Sequence, residues 1–304
     1  MTYKKAVVTG GAGFIGSHVA DALLARGVEV LVVDDLSTGN KKNVPKGAAF
    51  LKKSILHPAF VKAVLKFKPD VVFHLAAAAS VPESVARPAE NAEANVIGTV
   101  RVAEAARTAG AKCLVFSSTG GALYATGEPP FAETAEAEPK SPYGIAKKAA
   151  EEYLRFFSRE YGLPCVILRY ANVYGPRQAS NGEGAVVPSF ADALAEGRPV
   201  SIHGTGEQTR DFVCVDDVVA ANLVAADRGM SGVFNIGTGR EVSVNALLEA
   251  LGRTFGKTAD VRHTPPRAGD VMRSCLRVEK AKKELGWEPH VSLEEGLKRY
   301  VSAR

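Results

Sequence analysis

The sequence predicts an α/β fold: a doubly wound parallel sheet, followed by a smaller mixed α/β region. Through the first 170 residues, short apolar runs rich in β-branched side chains alternate with amphipathic, helix-like segments. Residues 171–184 are rich in Gly and Asn, and helical and strand-like segments then mix irregularly. Alternating strand and helix patterns with fully apolar strands are typical of parallel sheets that helices cover on both faces.

Composition excludes several other classes of protein. The 304 residues suffice for one large α/β unit or two domains, and 46% are hydrophobic and 23% charged. The net charge of +5 is spread along the chain without a long basic run, so we expect no nucleic-acid and no membrane partner. No segment approaches the ~18 apolar residues that a membrane-spanning helix needs.

The four cysteines are widely scattered, at Cys113, Cys165, Cys214 and Cys275. The sequence contains no C-x-x-C, and no His/Cys cluster has the spacing of zinc ligands, so we expect no metal site. Three of the four lie in apolar, strand-like settings. We therefore expect buried, reduced thiols in a cytoplasmic protein.

A glycine-rich turn lies in the first strand–helix–strand unit. Lys5–Thr9 is a β-branched apolar run, and residues 10–16 follow with the spacing G-x-x-G-x-x-G. A helical pattern continues to Arg26, and a second apolar strand over residues 28–33 ends at Asp34. Strand, glycine turn, helix, strand and acid in this order are typical of the first unit of a dinucleotide-binding fold.

Each residue of this motif has a physical task. Gly10 permits the tight turn, Gly13 lets the backbone approach a pyrophosphate, and Gly16 lets the helix pack on the strand. The phosphates would lie at the helix N-terminus. Asp34 is placed to accept hydrogen bonds from the adenosine ribose, and its charge would repel a 2′-phosphate. This favours NAD over NADP; the alternative for Asp34 is a turn residue at the end of a strand.

The chain continues with alternating patterns. We expect helices over residues 60–66 and 89–109, strands over residues 70–75, 112–117 and Cys165–Tyr170, and a loop over residues 120–140. Near the C-terminus, Ser292 and Glu295 fit a capping box that opens a last helix. We predict an NAD-binding domain over residues 1–170 with a returning segment near 211–237, and a substrate domain over residues 171–304.

A second functional pattern opens the helix that is predicted to run to Tyr161. Ser141 before Pro142 is a helix-start signal. Tyr143 and Lys147 are then i and i+4 on one face of the helix. Lowering a tyrosine pKa from ~10 to ~7 needs about 4 kcal/mol, which a nearby ammonium, a cationic nicotinamide and the helix N-terminus could supply. Alone the pair is a weak signal, because exposed tyrosine–lysine pairs are common on helices.

Together these motifs make the chain resemble the extended short-chain dehydrogenase/reductases, and among them the UDP-glucose 4-epimerases and related nucleotide-sugar epimerases. The likeness runs almost end to end. The stretches that carry it are residues 9–16 (TGGAGFIG), 74–77 (HLAA), 117–119 (SST), 141–147 (SPYGIAK), 168–177 (LRYANVYGPR), 206–212 (GEQTRDF), 234–237 (FNIG), 266–270 (PRAGD) and 285–287 (LGW).

The resemblance implies a role for each matching residue. Tyr143 would act as the base, Lys147 would lower its pKa, and Thr119 would hydrogen-bond the sugar O4. The implied NAD contacts are Gly10, Gly13, Phe14, Ile15, Gly16, Asp34, Leu36, Ser54, Ile55, Leu75, Ala76, Ala77, Asn95, Ser117, Tyr143, Lys147 and Tyr170. The implied substrate contacts are Ser118, Thr119, Asn172, Val187, Arg210, Arg267, Asp270 and Ser274.

The implied substrate is a UDP-sugar. Arginine suits a diphosphate because its planar fork pairs with two phosphate oxygens, which is the implied task of Arg210 and Arg267. Ser274 lies where the epimerases place a gate beside the sugar C2 substituent, and a small residue there resembles enzymes that admit N-acetylated sugars.

The sequence departs from the family pattern at two places. Lys53-Ser54-Ile55 replaces the acid-hydrophobic pair that commonly meets adenine, although Ser54 can still accept a hydrogen bond. The segment 117–124 is one residue longer than in the best-known epimerases. The choice of Thr119 over Ser118 as the catalytic hydroxyl therefore depends on how this segment is aligned with the family.

The implied activity is NAD-dependent epimerisation at C4 through a transient 4-keto sugar. Dehydratases of this family carry an Asp–Glu pair, and decarboxylases a Glu, at the place of Gly120 and Gly121. Both activities are therefore less favoured than epimerisation. A UDP-glucuronate 4-epimerase or another enzyme of nucleotide sugars stays open, as does a non-catalytic NAD-sensing regulator, which usually lacks the Tyr/Lys pair.

The family also implies a homodimer through the helices over 89–109 and 142–161, whose apolar faces could equally pack on the sheet.

Overall fold

The computed structural model describes residues 3–124, 126–180, 184–266 and 271–304. The strands are β1 Lys5–Thr9, β2 Glu29–Asp34, β3 Ala49–Lys52, β4 Val71–His74, β5 Cys113–Thr119, β6 Cys165–Tyr170, β7 Asn172–Tyr174, β8 Val200–His203, β9 Thr209–Arg210, β10 Phe212–Cys214, β11 Gly232–Ile236, β12 Val242–Ser243 and β13 Val261–Thr264. The α-helices are α1 Phe14–Ala25, α2 Pro58–Phe67, α3 Val81–Ala86, α4 Pro88–Ala92, α5 Gly98–Thr108, α6 Pro142–Tyr161, α7 Val186–Glu196, α8 Val215–Arg228, α9 Val244–Phe255 and α10 Leu293–Ser302.

Seven strands form the central sheet, in the order β11-β6-β5-β4-β1-β2-β3, and every neighbouring pair is parallel. The predicted doubly wound parallel sheet is therefore confirmed. The strand order reverses between β1 and β4, which in open α/β sheets opens a crevice at the carboxyl ends of the strands. The fold thus offers a ligand site between these two strands.

Helices cover both faces of this sheet. One core cluster packs α1 and α8 against the sheet, around Val8, Phe73 and Leu168. A second cluster packs α2, α5 and α6 against the opposite face, around Val72 and Ile167. A third cluster joins α7, α9 and α10 with β8 and β10. The division of the chain near residue 170 stays a prediction. Within the described ranges, no helix combines the length and apolar character that a bilayer crossing requires.

The helix predicted over residues 89–109 is present as a continuous helical run from Pro88 to Thr108, and it contains one irregular turn. Between α4 and α5 the backbone forms a π-helical turn, Glu93–Ile97. A π turn widens the helix by one residue and rotates a side chain out of its regular place. Here that side chain is Asn95, which is buried and hydrogen-bonds both main-chain groups of Ala78.

Two predicted helix caps are confirmed. The hydroxyl of Ser141 accepts a hydrogen bond from Gly144 N at the start of α6, and that of Ser292 accepts one from Glu295 N at the start of α10. Each cap satisfies a main-chain donor that the first helical turn leaves without a partner. The start of α6, which carries Tyr143, is thereby fixed by its own sequence.

The segment before α10 is anchored to the start of α8 by one buried acid. The Asp217 carboxylate accepts hydrogen bonds from His290 N and Val291 N, both at 3.0 Å. Its main-chain carbonyl accepts a third from Trp287 Nε1, also at 3.0 Å. The C-terminal segment therefore depends on a side chain about seventy residues earlier in the chain.

We expect Asp217→Ala to lower the free energy of unfolding by about 2 kcal/mol or more, because it leaves buried main-chain donors without an acceptor. Asp216→Ala is the matched control on the same helix turn, since Asp216 forms an exposed ion pair with Arg299 that contributes about 0–1 kcal/mol. Urea denaturation of both variants measures the difference. Equal losses would contradict the anchoring role of Asp217.

Candidate functional site

The carboxyl ends of five neighbouring strands meet at one edge of the sheet. Thr9 of β1 lies opposite Val33 of β2 and His74 of β4. Further along the sheet, Thr119 of β5 lies opposite Tyr170 of β6. Because the strands are in register, the residues that follow them form one continuous rim around the crevice. The glycine turn and Thr119, one of the predicted catalytic residues, lie on this rim.

The glycine turn is packed tightly against the loop after β4. Gly10 has a φ of +70°, and a Cβ on it would lie 2.7 Å from Ala76 N, so only glycine fits. A Cβ on Gly16 would lie 2.2 Å from the Gly10 carbonyl oxygen. Gly13, the residue before α1, has no side chain that could cap the helix. The first N–H groups of α1, beginning at Phe14 and Ile15, are therefore oriented for an anion such as a phosphate.

Asp34 lies at the end of β2 against this turn. Its carboxylate accepts hydrogen bonds from Ala12 N at 3.0 Å and Leu36 N at 2.8 Å. Burial raises the pKa of Asp34, and both N–H groups oppose that rise. Gly39 approaches so closely that a Cβ there would lie 2.8 Å from Asp34 Oδ1. An acid held in this way fits the recognition of ribose hydroxyls beside a pyrophosphate.

The predicted contacts at the end of β3 lie close to α5. The Ser54 hydroxyl accepts a hydrogen bond from Leu56 N at 3.2 Å. Ile55 is buried, and a Cβ on Gly98 at the start of α5 would lie 2.6 Å from its Cδ1. Ser54 is therefore engaged in a local turn, and the Ile55 side chain packs under α5.

The loop after β4 is held from both sides. Leu75 N donates to the Thr9 carbonyl oxygen, and Ala76 N donates to the Thr9 hydroxyl, at 3.2 and 3.3 Å. The Asn95 side chain hydrogen-bonds the main chain of Ala78, which follows Ala77 in the same loop. The hydrogen bonds of the Asn95 side chain go to protein groups. These hydrogen bonds shape the loop, and the predicted contact of Asn95 with the cofactor stays a prediction.

A buried histidine connects these elements, and the sequence reasoning assigned it no role. His74 Nδ1 lies 2.8 Å from the Thr9 hydroxyl, and Nε2 lies 3.0 Å from the Thr99 hydroxyl on α5. Burial, together with the charge of Lys147, lowers the pKa of His74 to about 3. The imidazole is therefore neutral. A polar residue at the end of an apolar strand was the available sequence signal.

Tyr143 and Lys147 lie together on the buried face of α6, at 8% and 2% exposure. Lys147 Nζ donates to the Ser117 carbonyl oxygen at 2.7 Å and lies 6.0 Å from the centre of the Tyr143 ring. It also lies 4.6 Å from the centre of the Phe116 ring. Burial lowers the pKa of Lys147 to about 7, and the carboxylate of Glu151 opposes that change. This environment differs from that of a solvated surface pair.

The three hydroxyl residues at the end of β5 have different partners. Thr119 is half-buried at the strand end, where its Oγ1 accepts a hydrogen bond from Ala122 N at 3.1 Å. Ser118 is buried, and its hydroxyl donates to Glu151 Oε1 at 2.5 Å. The Ser118 hydroxyl thus points to α6, and the predicted contact of Ser118 with substrate stays a prediction. Thr119 is the hydroxyl at the rim of the crevice.

Tyr170 supports the site from β6. Its carbonyl oxygen accepts a hydrogen bond from Gly120 N at 2.8 Å, which holds the loop after β5. Its phenol is buried and pairs with Asn222 on α8, and burial raises the pKa of Tyr170. The ring belongs to the core under α8, and the predicted contact of Tyr170 with the cofactor stays a prediction.

Some of the predicted substrate residues meet beside β9. Arg210 donates to the carbonyl oxygens of Thr209 and Val271, at 2.8 and 2.7 Å. Ser274 N donates to the Thr209 carbonyl oxygen at 3.3 Å, so Arg210 and Ser274 are close neighbours. Asn172 opens β7, and its Oδ1 would lie 3.9 Å from a Cβ on Gly121, at the loop after β5.

Val187 lies elsewhere. It is fully buried within the third core cluster, so its side chain serves packing, and its predicted substrate contact is corrected. Arg267 and Asp270 lie outside the described residues.

Sequence reasoning also missed a buried ion pair beneath the site. Arg169 of β6 and Glu151 of α6 are paired at 2.6 Å, with almost no exposure of either side chain. Their signal was a charged residue in an otherwise apolar strand and another on the buried face of an amphipathic helix. Neither position revealed that the two would meet.

The left-handed Gly10, the uncapped start of α1 and the acid at the end of β2 fit a dinucleotide, so the fold and site define a dinucleotide-binding α/β enzyme. The profile of the NAD dependent epimerase/dehydratase family matches residues 6–237. The chain belongs to this family, and its members' cofactor is the NAD that the glycine turn and Asp34 predicted.

Solved structures with high similarity cover nearly the whole chain. The UDP-glucose 4-epimerase of Thermotoga maritima, solved with UDP-glucose, is 50% identical, with a TM-score of 0.96 and 98% of each chain covered. The UDP-glucose 4-epimerase of Thermus thermophilus, solved with NAD, is 42% identical, with a TM-score of 0.93 and 98% of each chain covered. The UDP-N-acetylglucosamine 4-epimerase of Methanobrevibacter ruminantium, solved with UDP-N-acetylmuramic acid, is 35% identical, with a TM-score of 0.94, covering 100% of this chain and 98% of that one.

Proposed function

We propose that this chain is an isomerase that epimerises UDP-sugars at C4 with NAD, acting on UDP-glucose and UDP-galactose. The observation that carries this proposal is the buried Tyr143/Lys147 pair, next to the crevice that the glycine turn borders. A regulator that only senses NAD has no need of a desolvated lysine beside a tyrosine. The similarity to UDP-glucose 4-epimerases over the whole chain supports the choice of substrate.

The chemistry divides between the cofactor and three side chains. NAD, when bound, supplies reversible hydride transfer at the sugar C4, so that the alcohol becomes a ketone and then an alcohol again. Tyr143, as a phenolate, removes the proton from the sugar O4 and later returns it. The Lys147 ammonium stabilises that phenolate by its charge. Thr119, at the end of β5, hydrogen-bonds the sugar O4 and orients it.

The binding roles follow from the chemistry of the rim. The N–H groups at the start of α1 hold the pyrophosphate, for which Gly10, Gly13 and Gly16 leave room. Asp34 accepts hydrogen bonds from the adenosine ribose, and its charge disfavours NADP. Arg210 binds the diphosphate of the sugar nucleotide through its planar guanidinium.

In this proposal Arg267 and Asn172 also bind the nucleoside diphosphate of the substrate.

The proposed sugar range includes the N-acetylated pair. Ser274 is small and lies beside Arg210, and in the proposed binding mode a bulky side chain in its place would crowd the C2 substituent of the sugar. The similarity to an epimerase of UDP-N-acetylglucosamine supports this extension.

We expect Tyr143→Phe to lower the turnover of UDP-galactose to UDP-glucose by at least about a hundredfold, because it removes the base. Binding of the UDP-sugar, measured by calorimetry, stays nearly unchanged. Tyr161→Phe is the matched control, since Tyr161 lies at the other end of the same helix and is 50% exposed. Turnover of the wild-type order in Tyr143→Phe would remove the assignment of the base.

We expect the wild-type enzyme to interconvert UDP-N-acetylglucosamine and UDP-N-acetylgalactosamine as well, because Ser274 leaves the C2 side of the sugar open. A chromatographic assay of both sugar pairs, with UDP-glucuronate in parallel, measures the range. Turnover of the non-acetylated pair alone contradicts the role of Ser274, and turnover of UDP-glucuronate alone would replace the proposed substrate.

We also propose a homodimer through α6 and the neighbouring π turn. Ile97, Ile145, Tyr153 and Phe156 expose large apolar side chains there, and a second copy of this patch would bury them. We expect the mass of a dimer by light scattering and that of a monomer for Ile145→Glu. Val261→Glu, at an exposed apolar residue of β13, is the control that leaves the dimer intact. A monomeric wild-type protein contradicts the proposal.

We place the enzyme in the cytoplasm, because its four cysteines are free and buried, as in proteins of reducing compartments. Recovery of the activity with the membrane fraction of the source cells would contradict this location.

A further inference from the structure

A buried carboxylate lies beneath the Tyr143/Lys147 pair and takes no direct part in the proposed chemistry. Glu151 is 1% exposed, and its two oxygens accept three hydrogen bonds from Arg169, from Nε at 3.0 and 3.2 Å and from Nη2 at 2.6 Å. The Ser118 hydroxyl donates a further one. A charge removed from water in this way is costly unless its environment fixes it, so its position is closely determined.

Glu151 is connected to the catalytic lysine in two ways. It follows Lys147 by one turn of α6, so both side chains project from the same face of the helix. In addition, the two side chains bind consecutive residues of β5. Lys147 Nζ donates to the carbonyl oxygen of Ser117, and Glu151 accepts from the hydroxyl of Ser118. The carboxylate thus fixes the strand segment that holds the ammonium.

The far side of the carboxylate is fixed as well. Arg169 Nη1 donates to the Tyr124 hydroxyl at 2.5 Å and to the Glu133 carbonyl oxygen at 3.2 Å. These partners belong to the segment after β5. Arg169 therefore joins β6, α6 and this segment, and Glu151 has no freedom to move away from Lys147.

Among the charged groups around Lys147 in the described part of the chain, Glu151 is the one that favours its protonated form. The titratable and polar groups that face it or Lys147 are Tyr143 and Lys147 on α6, His74 on β4, Ser118 on β5, Arg169 on β6, and Tyr124 and Glu133 after β5. His74 is neutral, because burial lowers its pKa to about 3. Burial also lowers the pKa of Lys147, and Glu151 is the carboxylate that opposes this.

We propose that Glu151 is a positioning residue that keeps Lys147 protonated and holds the Ser117 carbonyl against its ammonium. The effect of Glu151 on Lys147 does not depend on the proposed function; only its consequence for turnover rests on that function. Without the negative charge, the buried Lys147 loses its proton at lower pH, and the phenolate of Tyr143 loses the cation that stabilises it. Arg169 cannot take over, because its guanidinium is positive and its hydrogen bonds point to Glu151, Tyr124 and Glu133.

The test compares Glu151→Gln with Glu152→Gln. The two variants lose the same charge from neighbouring residues of α6, but the Glu152 side chain is 67% exposed and pairs with Arg155 at the surface. Glu151→Asp, which keeps the charge, is a further comparison. Isotope-edited NMR of the lysine side-chain carbons measures the Lys147 pKa without substrate, with the signal assigned by its absence in Lys147→Arg. The pH dependence of kcat is measured in parallel.

We expect Glu151→Gln to lower the Lys147 pKa by about one pH unit or more, since a close opposite charge shifts a pKa by ~1–3 units. The alkaline limb of the kcat profile moves down with it. Glu152→Gln leaves both unchanged, and Glu151→Asp restores most of the wild-type profile. The same Lys147 pKa in Glu151→Gln and Glu152→Gln, or a loss of turnover that is equal at every pH, overturns the proposal.

A double variant separates the proposed effect on Lys147 from a folding defect of Glu151→Gln. Glu151→Gln leaves Arg169 buried without its ionic partner, whereas the double variant with Arg169→Gln removes both charges. A fall in the Lys147 pKa is expected there as well, because both variants lack the carboxylate that opposes the effect of burial. Absence of turnover in the wild-type enzyme would contradict the proposed function alone, since the NMR measurement decides the role of Glu151 without substrate.

Discussion

The burial of one charged lysine is the constraint on which the site depends. Removing an ammonium from water destabilises it unless oxygen atoms and opposite charge are close by. Lys147 has the carbonyl oxygen of Ser117, the face of the Phe116 ring and the nearby carboxylate of Glu151. All of these come from β5 and α6. The relation of that strand to that helix must therefore be fixed, and the second core cluster fixes it with side chains from both.

The sheet brings the remaining parts of the site to the same place. Because the strand order reverses between β1 and β4, the segments after these strands diverge and leave a crevice. Gly10 from one segment contacts Ala76 from the other, and the neutral His74 hydrogen-bonds Thr9 beside them. The cofactor side of the site is thus a tightly packed turn. The proposed catalytic side is a desolvated helix face, one strand further along the sheet.

Much of this fold could be predicted because its signals are local. β1 and β6 have the predicted bounds, α6 begins after Ser141 as predicted, and the glycine turn has the conformation that its spacing indicates. The π turn within the helix over 89–109 could not be predicted, because it is coupled to the contact of Asn95 with Ala78 in a distant loop. The ion pair of Glu151 with Arg169 was missed for the same reason.

By itself the sequence determined which chemical groups are present and where helices and strands begin, since capping, turns and hydrophobic periodicity act over a few residues. It also determined that Tyr143 and Lys147 share one face of a helix. The tertiary structure decided that this face is buried, that Thr119 rather than Ser118 stands at the rim, and that Tyr170 faces α8. These outcomes depend on strand register and helix docking, which join residues far apart in the chain.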